Sequence, residues 1–287
     1  MKLRPGNAGP DTFSGHEEVL AAALKQVPSR FRRKVLVRVD GAGASHDLIR
    51  HLLGLNSKRK TVLFTTGRMI TQAGEDAIWL LPAAAWKPGV AQDGTPEEDK
   101  DAAEVTGLMT RAENWLEGLR WIVRRVKPSR RQARNLTACE KETGWRYNII
   151  CTNIPDTGIP EVPGSRHPQF TGTLHREHAV VETAGVRTAK AMGLRNLPSK
   201  TWQVNCGWVL AANIAAGLAA WTRLLGHAGD EELKDAGPDT LRYRVWRLPA
   251  RLARHARQRV LPVSANWPWA QAFLDCRQRL SALPAPT

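Results

Sequence analysis

The chain has 287 residues, with 42 Lys plus Arg against 27 Asp plus Glu and a formal charge of +15. Its 42% hydrophobic content is enough for one large core or two small ones, and positive charge dispersed along the chain suits phosphate backbones as partners. Residues 1–6 lack the apolar stretch of a secretion signal, so a cytoplasmic protein is expected; Cys139, Cys151, Cys206 and Cys276 form no Cys-x-x-Cys pair, which argues against a zinc site or a disulfide framework and for reduced thiols.

In chain order, Val19, Ala22, Ala23 and Leu24 recur with helical spacing, and a helix is predicted over residues 16–25. An almost uniformly apolar run over residues 35–39 predicts a buried strand that closes on Asp40 and Gly41-Ala42-Gly43. A carboxylate at the C-terminal end of a buried strand, opening onto small residues, is where polynucleotide-cutting enzymes hold a catalytic metal. The plainer alternative is that Asp40 caps the next helix, which begins near Ser45 and runs to Leu55 with Leu48, Leu52 and Leu53 on one face. Residues 61–66 read as a short β-branched strand, which completes a strand-helix-strand unit.

From Gly67 to about Cys151 the pattern changes to short runs, residues 77–81 and 103–108 among them, separated by polar turns, as in an inserted β-rich subdomain. Within it residues 93–101 read as an acidic loop. Residues 119–126 alternate and lead into Lys127, Arg130, Arg131 and Arg134, so Arg124 and Arg125 open the best basic patch for tracking a nucleic-acid backbone, with Trp121 interleaved. An edge strand protected by charge gives the same text.

A strand over residues 145–153 and a Pro-rich loop over 154–167 precede a helical stretch in which His175, His178, Glu182 and Ala189 share one stripe. Asp156 lies 26 residues before Glu182, but Pro155 and Gly158 set it in a turn where Asp is common for ordinary reasons. Residues 204–221 are long and apolar; Asn205, Asn213 and the closely following Arg223 favour a buried helix at the spine of the core over a membrane span.

The segment His175-Arg176-x-His178-Ala179-x-Val181-Glu182, continuing through Arg187, Lys190, Gly193-Leu194 and Leu197-Pro198, resembles the glutamate helix of DDE-class transposases of bacterial insertion sequences. Six further blocks resemble that family in order: Leu3 to Gly9, Val37 to Gly43, Ala103 to Leu108, Trp145-Arg146-Tyr147 with Thr152-Asn153, Leu241 to Arg244 and Trp267 to Ala270. The resemblance spans nearly the whole chain.

It implies an α/β, ribonuclease-H-like fold, a mixed sheet with flanking helices and a β-rich insertion. The expected division is a partial core over residues 1–66, the insertion over 67–153, the glutamate helix and a core helix over 154–226, and a basic C-terminal region over 227–287. The resemblance makes Asp40 the second aspartate and Glu182 the glutamate, both binding Mg²⁺ or Mn²⁺ for two-metal phosphoryl transfer, the cleavage and joining of DNA strands. His175, His178, Arg187 and Lys190 fall on the family's basic positions for holding DNA, although Tyr and Arg are usual where this chain has the two histidines. Double-stranded DNA, transposon ends and target, is the implied partner; no membrane is, and a homodimer is among the assemblies open to it.

In the family the first aspartate lies upstream of the Leu-Arg-Pro-Gly-Asn block, which here begins two residues after Met1. The expectation is therefore an N-terminally truncated transposase, inactive as encoded, or a non-catalytic DNA-binding remnant. A metal nuclease unrelated to transposition would need a complete carboxylate set that these motifs do not supply.

Overall fold

Val35, Val37 and Val39 lie on one strand beside Val62 and Phe64 of the next, and this apolar seam founds a six-stranded sheet. The computed structural model describes residues 3–4, 9, 13–39, 44–109, 116–176, 182–255 and 257–284. The chain divides into two compact units, Lys2–His178 and Ala179–Thr287.

The first unit contains α1 (Phe13–Gln26), β1 (Lys34–Val39), α2 (His46–Gly54), β2 (Thr61–Arg68), α3 (Gln72–Trp79), β3 (Lys87–Val90), β4 (Pro96–Glu104), β5 (Arg120–Val126), α4 (Ala138–Thr143), β6 (Arg146–Thr152) and α5 (Pro168–Arg176). The sheet runs β1-β2-β6-β5-β4-β3, with β1 and β2 parallel and the other pairs antiparallel. This is the helix-flanked mixed α/β sheet the sequence implies, compatible with a ribonuclease-H-like transposase fold.

Local chemistry explains the strand-helix-strand unit. Ser45 caps α2 by accepting the Leu48 amide at 3.2 Å, Asp47 sits in the first turn, and Leu48, Ile49 and Leu52 turn inward. Ile49, Leu52, Phe64 and Ile149 are fully enclosed, and each contributes about 1.5–3 kcal/mol of transfer free energy.

Three expectations change here. Residues 67–153 do not build a sheet of their own, because β6 pairs with β2 as well as with β5 and so continues the same sheet. The apolar run at 77–81 falls mostly in helix α3, where Gly74, Ala77 and Ile78 recur at helical spacing and are buried. The acidic stretch at 93–101 leads into strand β4 and supplies two thirds of its length, because arginines neutralise its carboxylates: Arg125 donates to Asp101 at 2.7 Å from the register position opposite, and Arg176 donates to Glu97 at 2.7 Å.

The loop between β6 and α5 is fixed by Gly158. Its φ is +83°, and a Cβ there would stand 2.7 Å from the Ser165 hydroxyl and 2.8 Å from the Arg166 amide nitrogen. Ser165 in turn accepts the Ile159 amide at 2.6 Å. Gly158→Ala is expected to cost about 1–3 kcal/mol through strained backbone and crowding, read as a lower urea midpoint at unchanged slope. An unchanged midpoint would show that the loop yields freely.

The second unit is mostly helical. A π-wound helical stretch, Glu182–Arg187 and Lys190–Leu194, is followed by α6 (Trp202–Trp221), which continues through Thr222–Gly226, and by α7 (Pro238–Leu241), which continues through Arg242–Trp246. A short hairpin, β7 (Ala253–His255) with β8 (Gln258–Val260), and α8 (Ala270–Ser281) complete it. Leu233, Leu241 and Val245 form its small core with Trp246 and Phe273.

Helix α6 is where the sequence expectation of a core spine fails. Val209, Ala212 and Ala219 are buried, but Leu210, Ile214, Leu218 and Trp221 are each more than half exposed. Trp202–Gly226 is long and apolar enough to cross a membrane, yet only 22% of its apolar window is buried. Apolar composition predicted a helix in need of a partner and could not say whether the partner lies in the same chain.

Candidate functional site

The parallel pair fixes where Asp40 emerges. Arg38 is opposite Thr65 and Val39 opposite Thr66, so the chain reaches Asp40 at the C-terminal end of β1, the position where open α/β sheets carry ligands. Asp40 and residues 41–43 themselves lie outside the described residues. Because Ser45 caps α2 with its own hydroxyl, that helix does not need Asp40 as its cap.

The C-terminal turn of α5 is tied to this sheet end from several sides. Arg38, two residues before Asp40, donates from Nη1 to the Leu174 carbonyl at 2.9 Å, a guanidinium at a helix C-terminus where the dipole favours it. Thr65 Oγ1 and His175 Nδ1 are 3.1 Å apart in the interior. Thr173 and Arg176 both donate to the Val90 carbonyl, at 2.5 and 2.9 Å. His175, expected beside DNA, is thus buried and holds α5 against β2. His178 lies outside the described residues, as does the side chain of Glu182, whose backbone opens the helical stretch of the second unit.

In the second unit Arg187 and Lys190 are exposed. Lys190 lines a cleft of about 660 Å³ with Trp208, Asp239, Arg242, Trp246 and Arg247. The cleft is braced by Arg242 donating to the Ala191 carbonyl at 3.0 Å and by the Trp208 indole donating to Gly193 O at 2.8 Å. Gly193 has φ +99°, and a Cβ there would stand 3.1 Å from the Trp208 ring.

The arginines of β5 face inward partners that the sequence did not reveal. Arg120 is buried, pairs with Glu104 at 2.7 and 3.0 Å, and donates to the carbonyls of Ile154, Pro155 and Arg166. Arg124 lies beneath Gly172 of α5, and burial together with the Arg176 charge pulls its guanidinium down to about 10, against the opposing pull of Glu97. Arg125 is held by Asp101 and stacked between Trp86 and Trp145, with ring centroids at 4.3 and 4.4 Å. The exposed cations of this region are Lys127, itself over the Trp145 ring at 4.0 Å, and Arg130, Arg131 and Arg134.

All four cysteines are free thiols, and burial pushes Cys151 up to about 12, so it stays protonated. Among the described residues no three His, Cys, Asp or Glu side chains stand together as a metal site. Asp40 and Glu182 offer hard carboxylate oxygens, a donor type that fits Mg²⁺ or Mn²⁺.

A helix-flanked mixed sheet with an acidic position at the end of its parallel pair, in a basic chain, is the setting of a DNA-processing domain. The sequence matches the family model of the transposase DDE domain, group 1, over residues 1–285, and the chain belongs to that family of DNA transposases. No curated protein matches it.

Proposed function

We propose that the chain is the catalytic domain of an insertion-sequence transposase, with Asp40 and Glu182 as two of the carboxylates that carry phosphoryl transfer on DNA. The observation that carries this reading is Asp40 following β1 at the end of the parallel pair, with Ser45 doing the capping that would otherwise explain it. Asp40 and Glu182 would hold Mg²⁺ or Mn²⁺, which supplies activation of a water or a DNA 3′-hydroxyl and stabilises the leaving oxygen during in-line attack. Arg38 and His175 position the α5 end beside that strand. Lys190, Arg187 and the exposed Arg130, Arg131 and Arg134 bind backbone phosphates, while Arg124, Arg125 and His175 brace the sheet and α5 of the first unit. His178, next to the glutamate stretch, is assigned to the same DNA-positioning role. The location is the cytoplasm, where the DNA is.

The motifs supply two acidic positions where the family's chemistry uses three, and among the described residues β1 pairs with a strand on one side only. We infer that these 287 residues by themselves bind DNA without cutting it, the behaviour of a non-catalytic remnant, and that the open edge of β1 accepts a further strand bearing the remaining carboxylate.

Binding is tested by fluorescence anisotropy with duplex DNA across a salt series. Affinity is expected to fall steeply, and the triple change of Arg130, Arg131 and Arg134 to Ala is expected to flatten the log–log slope by about one unit for each phosphate no longer neutralised. Binding that ignores salt, or none at low salt, removes DNA as the partner.

A further inference from the structure

Helix α6 carries no charged residue over its 20 positions, in a chain of net charge +15. Its exposed side holds Gly207, Leu210, Ile214, Gly217 and Trp221, spaced three and four apart, with Val204, Ala211 and Leu218 alongside. That is the spacing of a helix-helix seam, not of scattered surface apolar residues. The two glycines sharpen it. Both sit inside the helix, where glycine weakens it relative to alanine, and among the described residues nothing lies within 4 Å of a Cβ built at either one. Their smallness serves no packing there.

We propose that this face pairs antiparallel with the same face of a second copy, about a two-fold axis through Ile214. In that register, seven residues either side set Trp221 against the partner subunit's Gly207, four either side set Leu210 against the partner subunit's Leu218, and three either side set Gly217 against the partner subunit's Ala211. Each large side chain meets a small or complementary one, as an isologous interface requires. The absence of charge along the seam lets two strongly basic chains approach without like charges in contact. With Trp202 at one edge, the exposed apolar surface is on the order of 700 Å², close to the roughly 800 Å² per partner of a standard stable interface. This inference does not rest on the DNA reading.

Sedimentation equilibrium of the full chain, without DNA or metal and at salt high enough to screen its charge, is expected to give the mass of two chains. Ile214→Glu sets two carboxylates on the axis, and Gly207→Leu fills the notch for Trp221 while adding a better helix former in open space; each is expected to raise the dimer dissociation constant on the order of 100-fold with helical circular dichroism retained. In a Cys206→Ser background, Ile214→Cys is expected to form an intermolecular disulfide on mild oxidation, whereas Leu218→Cys, displaced from the axis, is not. A single-chain mass for the unaltered protein, a dimer indifferent to both seam changes, equal cross-linking at 214 and 218, or co-flotation with phospholipid vesicles that the seam changes abolish would each overturn the proposal, the last in favour of a membrane surface.

Discussion

Arg120→Leu is expected to lower stability by about 3 kcal/mol, measured by urea or thermal unfolding, because it breaks an ion pair in the sheet and strips three backbone carbonyls of a donor at once. The figure sits at the lower end for such pairs because Glu104 keeps about a third of its side chain in water and can be partly rehydrated. The same site sets an acid limit. Burial pushes the Glu104 carboxyl up, but hydrogen bonds from Arg120 and Thr106 and the Arg120 charge hold it below its ordinary 4.5; Glu97, bonded by Arg176 and Lys100, is shifted the same way. A carboxylate held low in the folded state stabilises it at pH above 4.5 and loses that contribution as pH falls through the folded value. The unaltered chain should therefore lose stability in this acidic range more steeply than Arg120→Leu. Parallel pH curves, or a variant as stable as the parent, would show that the pair contributes little.

The part of the fold written in local pattern was legible. An almost uniformly apolar run, a helix with Leu48, Leu52 and Leu53 on one face and a short β-branched run announced β1, α2 and β2, and the strand end before Asp40 followed from them. What the sequence concealed were long-range pairings. The acidic residues at 97 and 101 looked like a solvated loop, Glu104 stood in a separate short run, and the arginines at 120, 124 and 125 looked like a DNA patch, yet Arg120 and Arg125 pair with Glu104 and Asp101, and Arg124 packs partly buried beneath α5, only because the strands are neighbours. His175 sits on a helical stripe with His178 and Glu182, but which side of α5 faces the sheet is decided by Thr65, 110 residues away in the chain. Helix α6 was legible as a helix and misplaced in depth, since composition records the need for an apolar partner without naming it.

Catalysis carries the largest effect. The reading of Asp40 and Glu182 as paired carboxylates predicts that the 287-residue chain alone leaves transposon-end DNA intact with Mg²⁺ or Mn²⁺. A form extended at the β1 edge by an acidic strand from a family member that carries all three carboxylates should cut and join it. Losing one metal-holding carboxylate removes charge stabilisation from both attack and departure, so Asp40→Asn and Glu182→Gln should each slow the extended form by at least about 10³-fold. Neither change removes a positive charge, so duplex affinity should stay within about threefold of the parent.

The cleavage rate of the extended protein with and without Glu182→Gln, read beside its duplex affinity, decides whether Glu182 is a catalytic carboxylate. Cleavage should be lost and binding kept. Cleavage that survives Glu182→Gln, or strand transfer by the unextended chain, would rule out the paired-carboxylate site.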